Sequence, residues 1–179
     1  MINAERIGVI STIVKNEPGL GKTAIMKILF ILQKVYKLPM NYEFSIYTYG
    51  PYSAEVMEDV DCAAHEDIIS VSIMPYPNGI TGYAINESKN IDKYILGNSL
   101  VTEYINSINE VTGMFGKKPA KELELDSTII YVYDLHKKNK WECTEDNIIN
   151  DVKEIKPHFD IEHIKGNYYG LSKLLGMLN

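Results

Sequence analysis

The stretch from Lys22 to Lys37 constrains this chain most, because it is apolar almost all the way round at helical spacing. Ile25, Ile28, Leu29, Leu32 and Tyr36 share one face, Met26, Phe30 and Ile31 fill the flanks, and Thr23, Lys27 and Lys34 lie opposite. A helix of this kind has to be covered on two or more sides, so it predicts a central position in the fold. Asn3 is the expected cap of a preceding helix whose Ile7, Ile10, Ile13 and Val14 repeat at helical spacing and which stops at Asn16-Glu17-Pro18-Gly19. After Pro39, Tyr42 to Tyr49 alternates, with Tyr42, Phe44, Ile46 and Thr48 on one face and Glu43, Ser45, Tyr47 and Tyr49 on the other. This predicts a short strand, a turn at Gly50-Pro51-Tyr52 and a third helix capped by Ser53 that runs to about Ala64.

Two β-rich runs, Ile68 to Met74 and Ile80 to Ile85, flank Pro75-Tyr76-Pro77-Asn78-Gly79 and predict a hairpin. Helix, helix, strand, helix, hairpin is a winged-helix order. From Glu87 onward helical spacing takes over. A helix capped by Ser99 is followed by a loop over Gly113 to Pro119, and a second helix runs from about Ala120 to Lys138. A third is capped by Thr144 and ends near Pro157, and a last one is capped by Asp160. The expected class is therefore α+β and mostly helical, with a winged-helix-like half over 1–86 and a helical half over 87–179. No linker-like segment separates the halves, which predicts one compact domain.

The net charge of −6 is unevenly spread. Met1 to Met40 carries +4, Asn41 to Glu110 carries −9 and Val111 to Asn179 carries −1. Nucleic-acid binding needs clustered basic groups on one surface, which only the first block could supply, so it is not expected. No run of about 18 apolar residues occurs, and the amino terminus lacks the parts of an export signal, so no membrane partner and a cytoplasmic location are expected. Cys62 and Cys143 are distant and without metal-type spacing, which predicts free thiols.

Gly19-Leu20-Gly21-Lys22-Thr23 ends like a phosphate-binding loop, but Asn16 stands where that loop has its first glycine, and helix rather than strand precedes it. A helix start is the expected role. The histidines His65, His136, His158 and His163 form no metal-binding spacing, and no nucleophile elbow occurs, so no catalytic residue, cofactor or metal is expected. The remaining concentration is Tyr42, Tyr47, Tyr49 and Tyr52 around Gly50-Pro51. Tyrosine suits an interface through its large apolar surface and its hydroxyl, and equally suits a half-buried strand edge.

The run from Gly21-Lys22-Thr23 to Leu32-Gln33-Lys34, followed by Phe44-Ser45-Ile46-Tyr47-Thr48-Tyr49-Gly50-Pro51-Tyr52-Ser53, resembles the YwgA-like bacterial and archaeal family and the broader Panacea, or SocA-like antitoxin, domain. Glu122-Leu123-Glu124-Leu125 and the segment from Val152 to Phe159 are similar to the YwgA-like pattern alone. At Thr23-Ala24 the chain departs from the usual basic run, leaving Lys27 as the matching lysine. The resemblance implies a protein without known catalysis and, for Panacea domains, an antitoxin that works by binding a partner protein such as a toxin. The expected function is a non-enzymatic protein-binding regulator, with a DNA-binding transcriptional regulator as the alternative and a nucleotide-binding enzyme using Lys22 and Thr23 as a third reading. The expected partner surface is Lys27, Lys34, Tyr47, Tyr49, Gly50, Pro51 and Tyr52, with lysines as a charged rim around tyrosine anchors.

Overall fold

A computed structural model describes residues 3–75, 79 and 81–178. Among the described residues helices hold 62% and two antiparallel hairpins supply the β part, so the α+β, mostly helical class is the one observed. Helix α1 (Ala4–Asn16) begins where Asn3 accepts a hydrogen bond from the Arg6 amide, and its expected apolar positions are all buried. It lies unusually close to a later helix, α5 (Ser99–Phe115). A Cβ on Gly8 would sit 2.0 Å from Asn98 Nδ2, and that amide instead donates to Ala4 O at 2.9 Å.

Helix α2 (Lys22–Lys34) is buried without interruption from Ala24 to Leu32, as its apolar circumference requires. It ends three residues before the expected Lys37, which adopts a left-handed conformation with φ of 60°. Strands β1 (Ser45–Tyr47) and β2 (Gly50–Tyr52) form a short hairpin, and α3 (Ala54–His65) follows from Ser53. Strands β3 (Ile69–Pro75) and β4 (Thr81–Glu87) form the longer hairpin, in register from Ile69 opposite Glu87 to Pro75 opposite Thr81. The expected turn between them is described only at Pro75 and Gly79, and Tyr76, Pro77, Asn78 and Ile80 lie outside the described residues. Leu20, between α1 and α2, bridges antiparallel to Ile85 of β4. The order helix, bridge, helix, helix, hairpin is thus winged-helix-like, with β1–β2 inserted between its second and third helices.

The second half adds a one-turn α4 (Ile91–Ile95), the kinked α5, α6 (Ala120–Asn139), α7 (Glu145–Ile155), α8 (Ile161–Gly170) and α9 (Ser172–Gly176). Three boundaries differ from expectation. Asn98, not Ser99, caps α5 by accepting from the Val101 amide. The helix continues to Phe115, because Val111, Thr112 and Phe115 bury there, so the expected loop from Gly113 starts later. The expected last helix breaks at Leu171 into two. Helix α2 packs on α5, α6 and β2, so its buried face is shared by the two halves. Among the described residues no helix is long and apolar enough to cross a membrane.

Candidate partner-binding site

The approach to β1 is fixed by a glutamine. At the end of α2, Gln33 Nε2 donates to Tyr42 O and Gln33 Oε1 accepts from the Tyr42 amide, both at 2.8 Å, so one side chain satisfies an extended residue as a neighbouring strand would. Tyr42 is 3% exposed, donates from its hydroxyl to Asp59 at 2.7 Å, and carries the Arg6 guanidinium over its ring. Phe44 then meets Phe30 edge-on at 5.2 Å. These contacts deliver the chain to β1 with Phe44 inward and Ser45 and Tyr47 outward, as the alternation predicts.

The hairpin itself corrects the expected turn. Ser45 pairs with Tyr52, Ile46 with Pro51 and Tyr47 with Gly50, so Thr48-Tyr49 makes the turn and Gly50-Pro51-Tyr52 is the returning strand. Gly50 has a φ of +87°, and a Cβ there would meet Ser127 Oγ at 3.1 Å, Thr128 Oγ1 at 3.2 Å and Glu124 O at 3.3 Å. The glycine therefore serves close packing on α6 and a left-handed backbone at the same point. Tyr47 and Tyr49 are 67% and 71% exposed, Tyr52 is 38% exposed, and the rings of Tyr47 and Tyr52 lie 5.7 Å apart. The tyrosine group thus divides, with Tyr42 in the core and the other three at the surface.

Lys27 is the main correction. It is 2% exposed, not part of a rim, and its ammonium donates to Pro51 O at 2.6 Å. Only its own helix argues for exposure; the hairpin and α6 cover that face. A long apolar stem lets the charge reach a backbone carbonyl while the methylenes pack. Burial, followed by the positive charge of Lys156, pushes the Lys27 ammonium down from its ordinary 10.5 to about 8, with Glu124 opposing. Lys34 is not brought to this site. It lies two turns further along α2, about 10 Å away by helical rise, half-buried among Lys138, Asp134 and Lys37. Burial and Lys138 lower its pKa.

Two residues that sequence reasoning did not place here complete the anchorage. Lys156, 1% exposed at its side chain and sitting between α7 and α8, donates to Thr48 O in the turn. Its ammonium also lies 2.8 Å from Glu124 Oε1, an ion contact off the hydrogen-bonding directions, with His158 Nε2 3.4 Å from the same oxygen. Two buried ammonium groups, one from each half of the chain, therefore hold the carbonyls on either side of Tyr49-Gly50. The available signal was a lysine just before Pro157, in a segment whose other anchors are Val152 and Phe159.

Between α2 and the hairpin lies a cavity of about 390 Å³ beside Tyr47, Tyr49 and Tyr52, lined also by the buried Met26 and Lys27, the half-buried Lys22 and Met57 and the exposed Thr23. Chemistry elsewhere is sparse. Gly19 N–H donates to Ile85 O and the Ile85 amide to Leu20 O, both at 2.8 Å, so the Gly19–Thr23 loop is committed to the β-bridge. Lys22 pairs with Asp61 at 2.8 Å. Among the described residues no three His, Cys, Asp or Glu side chains group as metal ligands, and both cysteines are free and half-buried. Helix α3, which stands where a winged helix has its recognition helix, carries Glu55, Glu58, Asp59 and Asp61 and no lysine or arginine. No protein-family model matches the chain, and no curated protein matches it.

Proposed function

We propose that this chain is a non-enzymatic, protein-binding regulator of antitoxin type that docks its partner through the Tyr47–Tyr52 hairpin. The observation that carries this reading is the pairing of three exposed tyrosines with a backbone fixed from below by Lys27 and Lys156. Exposed aromatic rings on a rigid base lose little freedom on binding, which is how a few residues come to dominate an interface. The resemblance to the YwgA-like family and the Panacea domain supports the same reading. Its Gln33, Gly50, Pro51, Glu124 and Lys156 serve this one hairpin, and it favours a cytoplasmic protein with a toxin-like partner.

A DNA-binding regulator draws support from the winged-helix-like order, but the acid on α3 and the long insertion before it argue against duplex recognition. Nucleotide chemistry at Lys22 and Thr23 is opposed by the bridged loop and by the Lys22–Asp61 pair. The deciding experiment compares capture from the native host by the wild-type chain and by the Tyr47→Ala/Tyr49→Ala variant. Each truncation removes an anchor worth about 2 kcal/mol or more of binding. A folded double variant should lose the protein that copurifies with wild type; a partner retained by that variant, or no partner at all, defeats the proposal.

A further inference from the structure

We propose that the cavity between α2 and the tyrosine hairpin is a binding site for a carboxylate carried on an apolar body, with Lys27 receiving the anion at the buried end. The proposal does not depend on the partner-binding reading, since it concerns what the cavity itself can hold. An ammonium has three N–H donors, and among the described residues Pro51 O is the acceptor Lys27 has. No carboxylate of the described residues lies within ion-pair distance of it, because the nearby Glu124 is turned to Lys156. Glu124 pairs with Lys156, which leaves the buried charge of Lys27 without a counter-ion among the described residues. Burying a charge in this state is costly, and an anion arriving through the cavity would relieve it.

The lining selects the rest of the ligand. Thr23 is one turn before Lys27 on the same face of α2 and offers a hydroxyl, so the two oxygens of a carboxylate can be met by one ammonium and one hydroxyl. Met26, Met57 and the rings of Tyr47 and Tyr52 supply the apolar part of the wall, and Lys22, whose ammonium is paired with Asp61, is a second lysine on the lining. At about 390 Å³ the space is at the lower end of small-ligand pockets, which suits an aryl or branched alkyl acid.

Calorimetry on the full chain with phenylacetate, phenylacetamide and phenethylamine tests this. Phenylacetate should bind, the isosteric amide about tenfold more weakly or worse, and the amine not detectably. Lys27→Met should abolish phenylacetate binding. Because that variant could fail to fold, the same titration is followed in wild type by the side-chain carbon resonance of Lys27, which should move while that of Lys34 stays. A capped peptide, acetyl-Gly-Glu-Phe-Gly-amide, distinguishes a free acid from an acidic side chain of another protein; tighter binding of either form supports the site and names its source. Equal affinity for phenylacetamide, an unmoved Lys27 resonance, or no binding of any carboxylate in the millimolar range overturns the proposal.

Discussion

The two hairpins share a topology and differ in what holds them. Strands β3 and β4 have seven residues each and keep their own ladder, tied at the base by the Leu20–Ile85 bridge and by burial of Ile69 and Ile85. Further out, Ile73 is 68% exposed and Tyr83 45%. Strands β1 and β2 have three residues each, too few to stand alone in water. Their shape comes from outside, through Gln33 on Tyr42, Lys27 on Pro51, Lys156 on Thr48 and the close seat of Gly50 on α6. Exposed aromatic surface alone therefore does not separate the hairpins. What separates them is that the short one presents its tyrosines from a backbone fixed by buried charge.

That difference is most exposed to attack at Lys156. Lys156→Ala leaves Glu124 buried without its ammonium and Thr48 O without a donor, and should lower unfolding free energy by about 3–5 kcal/mol in denaturant titrations. A loss no greater than that of a surface pair would break the account of the clamp.

The next effect concerns pH. Unfolded Lys27 takes its proton near 10.5 and folded Lys27 near 8, so between these values the unfolded chain binds more protons and stability rises with pH. Below pH 8 the buried ammonium carries its full penalty, about 3 kcal/mol; above 10.5 both states are neutral and the penalty is gone. Relative to Lys27→Met, wild type should therefore gain about that much stability between pH 7 and pH 11, with most of the change from 8 to 10.5. A flat difference would mean that Lys27 is not buried as a charge.

Gly50→Ala should cost about 2 kcal/mol, since it places a Cβ on a left-handed backbone against α6. Thermal melts would show it, and no change would mean that the hairpin is free to move off the helix. At the base of the long hairpin, Lys89 pairs with Asp67 at 2.8 Å with both side chains more than half exposed. Lys89→Ala should change stability by less than about 0.5 kcal/mol, and a larger loss would erase the contrast between the two anchorages.

What the sequence disclosed follows from how local each signal is. The start and stop of α1, the central place of α2 and the longer hairpin rest on spacing, caps and turn residues close together in the chain, and they are where expected. Gly50-Pro51 resembles a turn dipeptide, yet it forms the returning strand after a Thr48-Tyr49 turn, and what holds that turn, Lys156 on Thr48 O and α6 against Gly50, lies far away in the chain. Lys27 failed as a surface residue for the same reason: its cover comes from the hairpin and α6. The alternation held from Tyr42 to Tyr47, which it set opposite Phe44, since a period of two needs no distant partner, but it ended there, because Thr48 and Tyr49 form the turn and are both exposed. Gln33 could not be assigned to Tyr42 from spacing alone, as its role depends on how the chain returns after α2.

The hydrogen bonds under the turn all run to main-chain carbonyls of Thr48 and Pro51, and the outward rings of Tyr47 and Tyr49 take no part in them. Mutation can therefore rewrite the outward side chains at these positions without touching the scaffold. Such a loop can acquire new specificities over generations at little risk to folding, in the way a tool handle accepts different blades.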